Sequence, residues 1–388
     1  MISALALLAP ILAFWLWWPV KTLSVRVRCI AVTLTALLGA SPMVMIRLMR
    51  SGAVDYATIA PLQVAGGVVL VSLMFLLLFM LARDASWLAA RGIRRATWAN
   101  RLHGTPLTGG VVVLAMAVAS VAAYNGLVPP QVRETALALP GLPTSLNGLR
   151  VAVVADIHAS PVNDVDYVQT IVTRTNAARP DLIVLPGDLV DGDLSVTGPH
   201  TVPLSQLSAP HGVWIAPGNH EYYSGYDAWM GHFRRLGLQV LANQTQILHV
   251  RGERLALSGI GDPAYGRTSQ GNTDPNVPEG VPPDVAAVSA QARGADFHML
   301  LAHQPKFARD NARYGVDLQI SGHTHGGHML GMDRWLVAPF NNGFVRGLYN
   351  VDDMRLFVSS GAGLWAGFTA RLGIAPAIEL LVLQRSSS

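Results

Sequence analysis

The chain has 388 residues, of which 51% are hydrophobic and only 13% charged, about half the charged share of an ordinary soluble protein, so part of it belongs in lipid. Residues 1–128 hold ten basic and two acidic side chains (+8) and residues 129–388 are acidic overall (−4), which together make the net +4. A nucleic-acid partner, which needs a basic face on the folded domain, is therefore disfavoured, and the single cysteine, Cys29, excludes disulfides within the chain.

Four stretches approach the roughly 20 apolar residues that cross about 30 Å of hydrocarbon: residues 2–20, 29–46, 60–82 and 107–128. An all-α transmembrane region of about four helices is expected over residues 1–128. Thr33, Thr35, Gly39, Ser41 and Pro42 dilute the second stretch. The first has no Lys or Arg ahead of its apolar run, which continues through Trp15, Trp17 and Trp18, so it reads as a membrane helix and not as a cleaved leader. Those indoles and Trp87 read as interfacial belt residues. No acid or base stands at the centre of a span, so the region reads as an anchor.

The loop at residues 21–28 has three basic residues and that at 83–103 has five, against Arg47 and Arg50 between the second and third spans. The positive-inside rule then places the first and third loops in the cytoplasm. With four spans both termini face outward, and the domain after residue 128 lies on the extracytoplasmic side, the periplasm for a bacterial inner-membrane protein.

Residues 129–148 read as a linker. From residue 149 onward, short apolar runs bounded by Gly, Pro, Asn and Asp alternate with helical patterns, the signature of a layered α/β domain. Strands are predicted at 150–155, 182–185, 213–216, 239–241, 255–258, 298–302, 318–320, 356–359 and 378–383, and helices at 165–177, 226–236 and 284–293. The polar stretch 263–283 is expected to be a long, mobile loop.

Five of these strands end in metal-capable side chains. Asp156 and His158 follow the first, Asp188 the second, Asn219 and His220 the third, His303 the sixth, and His323 and His325 the seventh. Open α/β sheets put their sites at the carboxyl ends of strands. Two divalent ions about 3.5–4 Å apart clamp both oxygens of an in-line phosphoryl displacement, and such a pair needs a bridging ligand. A carboxylate such as Asp188 has lone pairs for two ions. Asp156 and His158, one residue apart, can grip one ion, to which His325 returns; Asn219, His303 and His323 suit the second. The oxygen and imidazole donors, with no thiolate, suit Mn, Fe, Zn or similar ions. The remaining seven histidines read as non-ligands, His328 lying nearest the site.

The blocks Asp156-Ile-His158, Gly187-Asp188, Gly218-Asn-His-Glu221, His303 and Gly322-His-Thr-His325 resemble, in order and spacing, the motif series of the calcineurin-like metallophosphoesterases. Residues 149–385 carry the resemblance, and Gly218 to Tyr223, Leu301 to Pro305 and Gly322 to Gly327 are similar to the membrane-associated bacterial branch. That resemblance implies a four-layer β-sandwich flanked by helices. It also implies one ion on Asp156, His158, Asp188 and His325, a second on Asp188, Asn219, His303 and His323, and His220 as proton donor to the leaving group. Where this branch commonly has Gln after the two glycines, this chain has His328.

The expected reaction is hydrolysis of a phosphomonoester, phosphodiester or pyrophosphate by a hydroxide bridging two divalent ions. Trp335, Leu336, Phe340, Phe344, Trp365 and Phe368 cluster after the last motif, which points to a lipid or lipid-linked substrate unless they only pack the sandwich edge. The competing reading is a catalytically idle membrane sensor or scaffold on the same fold.

Overall fold

A computed structural model describes residues 3–50, 53–267 and 279–386. The chain divides into two compact units, one of residues 1–125 with 366–370, the other of residues 126–365 with 371–388.

The first unit is helical: α1 (Ser3–Trp17), α2 (Val25–Arg50), α3 (Tyr56–Gly92), the short α4 (Ala96–Leu102) and α5 (Thr105–Leu127). All four predicted apolar helices form. Among the described residues, however, three are long and apolar enough to cross a membrane, within α2, α3 and α5. The 15 residues of α1 rise only about 22 Å at 1.5 Å each, short of the hydrocarbon thickness. Its helix gives way after Trp17 to turns around Pro19, which lacks an amide hydrogen. Residue 2, where the first predicted span begins, lies outside the described residues. Ala9, Leu12 and Leu16 of α1 nevertheless bury themselves with Leu73, Leu76 and Met80 of α3 and Ala115 of α5. Trp15 donates to Asp84 (2.6 Å) and Trp17 to Thr35 (2.9 Å).

The second unit holds two six-stranded sheets. The first runs, in spatial order, β1 (Gln131–Leu139), β12 (Ala377–Arg385), β2 (Arg150–Val153), β3 (Leu182–Pro186), β4 (Val213–Ala216) and β5 (Gln239–Val240). The second runs β10 (Gly347–Val351), β11 (Met354–Val358), β9 (Leu318–Ser321), β8 (Phe297–Leu301), β7 (Glu253–Gly259) and β6 (Gln244–Val250). Strands β2 to β5 are mutually parallel, as are β7, β8, β9 and β11, while β12, β6 and β10 pair antiparallel to β2, β7 and β11.

The central strands are apolar along their length because both faces are covered. Leu137, Val151, Val184, Trp214 and Leu381 of the first sheet meet Leu257, Met299, Leu318, Ile320 and Phe357 of the second. The outer face of the first sheet is closed by α6 (Val165–Ala177) and α7 (Tyr226–Arg235), through Val168, Ile171, Trp229 and Phe233. That of the second is closed by α8 (Val285–Gln291) and α9 (Ala308–Asn311), through Val288 and Ala308. The order helix, sheet, sheet, helix is the expected four-layer sandwich. Asp164 starts α6 on the predicted residue by accepting from the Asp166 and Tyr167 amides (3.2 and 3.1 Å), satisfying donors that a helix start leaves without partners.

One correction concerns residues 129–148. Nine of the twenty residues of this presumed linker form β1, paired in parallel with β12. Its alternation is hard to see because Arg133, Glu134 and Thr135 interrupt it; the inward positions are Leu137 and Leu139, both buried. Residues 268–278 of the expected mobile loop lie outside the described residues.

Candidate metal centre

Parallel strands discharge their connections at one edge. Here the carboxyl ends of β2, β3 and β4 from one sheet and of β8 and β9 from the other converge. The loops after β2 and β3 run side by side, with the Asp156 amide donating to the Gly187 carbonyl and that of His158 to the Asp188 carbonyl, both at 3.1 Å. The Gly322 amide donates to the His303 carbonyl (3.0 Å), joining the loops after β8 and β9.

All eight residues singled out in the sequence meet at this edge. Asp156, His158 and His325 present ligand atoms within 4.8 Å of one another, and so do Asp188, His303 and His323. Asn219 joins the second group, its Oδ1 accepting from His323 Nδ1 at 2.8 Å. Asp188 lies between the groups: its Oδ2 is 3.0 Å from His303 Nε2 and 3.9 Å from both His158 Nε2 and His220 Nε2. His220 forms no part of the two groups; its amide donates to Asp188 Oδ1 (2.8 Å) and its ring pairs with Asp191 (2.6 Å). His328 is buried beside the site, its ring 5.1 Å from that of His325. Histidines read as non-ligands bond elsewhere, His298 to Ser258 and His232 to Thr201, each at 2.8 Å.

The backbone carries the strain of this convergence. Asp156, His158, Asp188, His323 and His325 all have φ between 49° and 72°, a left-handed conformation that costs a non-glycine residue about 1–3 kcal/mol and gathers at functional sites. The glycines between them admit the close approach. A Cβ on Gly322 would stand 2.5 Å from Asp156 Oδ2, and one on Gly187 would strike the Gly218 backbone.

The polar atoms left over test whether ions fit. Asp156 Oδ2 and His158 Nε2 are buried without a hydrogen bond, although buried polar atoms are nearly always bonded. In the imidazoles of the site one ring nitrogen is already held: His158 Nδ1 by Asp191 (2.9 Å), His303 Nδ1 by the Pro186 carbonyl (2.8 Å) and His325 Nδ1 by the Gly363 carbonyl (3.2 Å). Anchoring one ring nitrogen is how proteins aim the other at a metal.

The electrostatics point the same way. Burial and the Asp188 charge raise the Asp156 pKa. Burial opposes protonation of His303, but Asp188 and Asp156 overcome it and push its pKa up to about 10. Burial and the His303 charge push His323 down to about 3. In the ion-free site the Asp188 and Asp156 carboxylates thus draw positive charge between them, as a proton on His303, while His323 is forced neutral. The residues of these groups could hold metal ions.

Several contributors were not legible in the sequence. Buried Asp191 accepts from both His158 and His220 on one oxygen; its only signal was its place three residues after Asp188. Glu221, quoted only as part of a motif, is fully buried and accepts the amides of Asp188 (3.0 Å), Leu189 (2.7 Å) and Gly218 (2.7 Å), locking the loops after β3 and β4 together. The buried Arg371 guanidinium donates to the carbonyls of His325, Ser360, Gly361 and Gly363 at 2.8–3.2 Å, holding the back of the site. Trp365 stands against the rings of His158, His220, His325 and His328, at centroid distances of 5.2–6.4 Å. His220 and His323 are only half-buried where the other imidazoles are closed off, so they mark the mouth.

This sandwich, with Asp, Asn and His donors at its converging strand ends, defines a metallophosphoesterase domain. Residues 149–327 match the profile of the calcineurin-like phosphoesterases, and that segment belongs to the family. The chain is similar to an uncharacterized metallophosphoesterase of Helicobacter pylori (31% identical over 244 residues, 62% of this chain and 61% of that one). It is also similar to proteins named "Transmembrane protein with metallophosphoesterase domain" from Danio rerio (31% identical, 71% of this chain and 63% of that one) and Bos taurus (29% identical, 77% and 67%). The chain thus spans about six tenths of the length of the first of these relatives.

Proposed function

We propose that this protein is a membrane-anchored, dinuclear metal-dependent phosphoester hydrolase. One ion would be held by Asp156, His158, Asp188 and His325, the other by Asp188, Asn219, His303 and His323. The observation that carries the reading is Asp188 Oδ2, which lies within 4 Å of imidazole nitrogens from both groups. Two bound ions would supply Lewis-acid chemistry, drawing charge from the phosphoryl group and making water acidic enough to attack at neutral pH.

The chain's own residues do the rest. Asp191 fixes His220 through Nδ1 and leaves Nε2 facing Asp188. Burial works against its protonation, but in the ion-free site Asp188 and Asp191 raise its pKa to about 9, and Asp191 remains paired with its Nδ1 to favour the protonated ring. Set at the mouth, His220 gives that proton to the departing alkoxide oxygen. Trp365 excludes water from the side occupied by His158 and His325. His158 has its free nitrogen aimed before any ligand arrives, so little reorganisation accompanies binding there.

The basic residues flanking α2, α3 and α5 support an extracytoplasmic position for the catalytic unit, because those three helices alone set it by the positive-inside rule. The shortness of α1 changes only the side on which α1 begins. Reporter fusions at Asn125 and Ser388 test this placement, and cytoplasmic signal at Ser388 would refute it. A phosphoester on a lipid or lipid-linked carrier is the substrate class favoured by the anchor.

The deciding experiment measures bound Mn, Fe and Zn and the hydrolysis of bis(4-nitrophenyl) phosphate by the full chain, with Asp188→Ala as control. Metal-dependent turnover that the control lacks is expected. Bound metal without turnover on this or any phosphomonoester would leave the idle scaffold.

A further inference from the structure

The aromatic cluster after the last motif divides in the structure. Phe344 and Phe368 are buried and Trp365 lines the site, but Leu330, Trp335 and Phe340 are 65%, 74% and 61% exposed, with Leu336 and Phe307 partly exposed beside them. Together these side chains make an outward apolar surface on the unit that bears the metal centre. The segment is not loose. Its inner face is anchored by buried Met332 and Phe344. Arg346 ties Asp333 (2.7 Å) to the Gly326 carbonyl (2.7 Å) of the metal-site loop, and Asn342 donates to the Lys306 carbonyl (2.9 Å), which brings the turns around Phe307 and Phe340 together.

Cations accompany the apolar groups. Lys306 lies over the Phe307 ring (5.7 Å), Arg309 over Phe344 (5.5 Å) and Arg334 over Trp335 (5.9 Å). Exposed Trp, Phe and Leu interleaved with Lys and Arg are the composition of surfaces that rest in the headgroup region of an anionic bilayer: the rings take the acyl boundary and the cations the lipid phosphates. The bilayer is never far, because only Val128, Pro129 and Pro130 separate the end of α5 from the start of β1. A tether of three residues spans about 10 Å at full extension.

We infer that Leu330, Trp335, Leu336, Phe340 and Phe307, rimmed by Lys306, Arg309 and Arg334, form a bilayer-contact surface by which the catalytic unit docks onto the membrane that anchors it. The inference rests on the anchor and not on the hydrolase reading. It adds that the loop bearing His325 leads, five residues later, into the docking surface, so a substrate phosphate in the bilayer would lie close to the chain segment that engages it.

The test uses the full chain with Cys29→Ser in nanodiscs of phosphatidylethanolamine with one quarter phosphatidylglycerol. Trp335→Cys, Phe340→Cys and, as a distant exposed control, Val202→Cys each receive an environment-sensitive fluorophore. Lipids spin-labelled near the headgroup should quench the labels at 335 and 340 at least about twofold more than the label at 202, as expected of side chains at the acyl boundary. Quenching no greater than at 202 overturns the proposal. So does shielding from aqueous iodide without lipid quenching, accompanied by cross-links between two copies, which would make the surface a protein interface. A Trp335→Glu/Phe340→Glu variant, labelled at Leu330→Cys, should lose the lipid quenching yet hydrolyse soluble bis(4-nitrophenyl) phosphate within about twofold of the parent chain, since neither residue touches the metal-site side chains. Absence of that hydrolysis in the parent chain would sink the hydrolase reading and leave the quenching result standing.

Discussion

Replacing Asp191 with Ala removes the acceptor shared by His158 Nδ1 (2.9 Å) and His220 Nδ1 (2.6 Å). Both ring hydrogens lose their partner, with unequal consequences. His158 is fully buried, so nothing replaces the carboxylate, and a hydrogen bond to a charged group contributes about 1.5–3 kcal/mol. The His220 side chain is 24% exposed; water can take the vacant place, and about 1 kcal/mol is the fair figure there. At about 1.4 kcal/mol per factor of ten, the first term corresponds to a loss of metal affinity of roughly 10- to 100-fold, the usual result of removing a carboxylate behind a ligating histidine. The misaimed His220 should cost turnover a further factor of about five, for a total of roughly 50- to 500-fold below saturating metal. Asp191→Asn keeps the shape and one acceptor, and should fall between the two. The assay is metal titration followed by turnover on bis(4-nitrophenyl) phosphate, with circular dichroism to confirm the fold. If Asp191→Ala binds metal and turns over within about twofold of the native chain, the shared carboxylate does not orient the two imidazoles and the argument from geometry fails.

Three further outcomes are expected. His220→Ala should retain its metal while turnover falls by about 10²–10⁴; unchanged turnover would remove His220 from the mechanism. Gly322→Ala, whose Cβ would stand 2.5 Å from Asp156 Oδ2, should displace that carboxylate and lower both metal content and melting temperature, and a native-like melting curve with full metal would contradict it. For the chelated protein, stability should peak near pH 6.5 and decline on both sides. Asp188 and Asp191 overcome the burial of His220 to raise its pKa to about 9, and the same contest raises His303 to about 10, so their contributions are complete below the unfolded value near 6.5 and fade as pH rises through 9 to 10. Burial and neighbouring positive charge depress His323 to about 3 and His325 well below its usual value; the stability tied to their neutral forms is present above about 6.5 and is lost as pH falls. A melting temperature flat from pH 5 to 10 in chelator would refute this balance.

Much of this was legible in residue order because parallel strands impose it. Val151 to Val153, Ile183 to Leu185 and Met299 to Leu301 read as buried runs, and in such a fold the residue just past each run belongs to the functional edge. Asp156, Asp188, Asn219 and His303 could be picked out on that ground alone. Strands β1, β6 and β10 were missed for the complementary reason: each lies at or beside a sheet edge with one face open, so polar residues interrupt its pattern. The first helix was overextended because hydropathy counts Trp18, Pro19 and Val20 as apolar, whereas apolarity alone does not set where a helix ends, and α1 stops at Trp17.

The sequence by itself determined which candidate ligand atoms are available, in what order they occur, and that helices long and apolar enough to cross a membrane precede them, since composition and periodicity are properties of the chain alone. Tertiary structure decided how those atoms are aimed. That Asp191 serves two histidines, that Glu221 clasps three amides and that Arg371 caps four carbonyls depends on residues up to 46 positions apart being packed to hydrogen-bonding distance. No local pattern encodes such a meeting, because the burial that makes each of these bonds strong exists only once both sheets have closed.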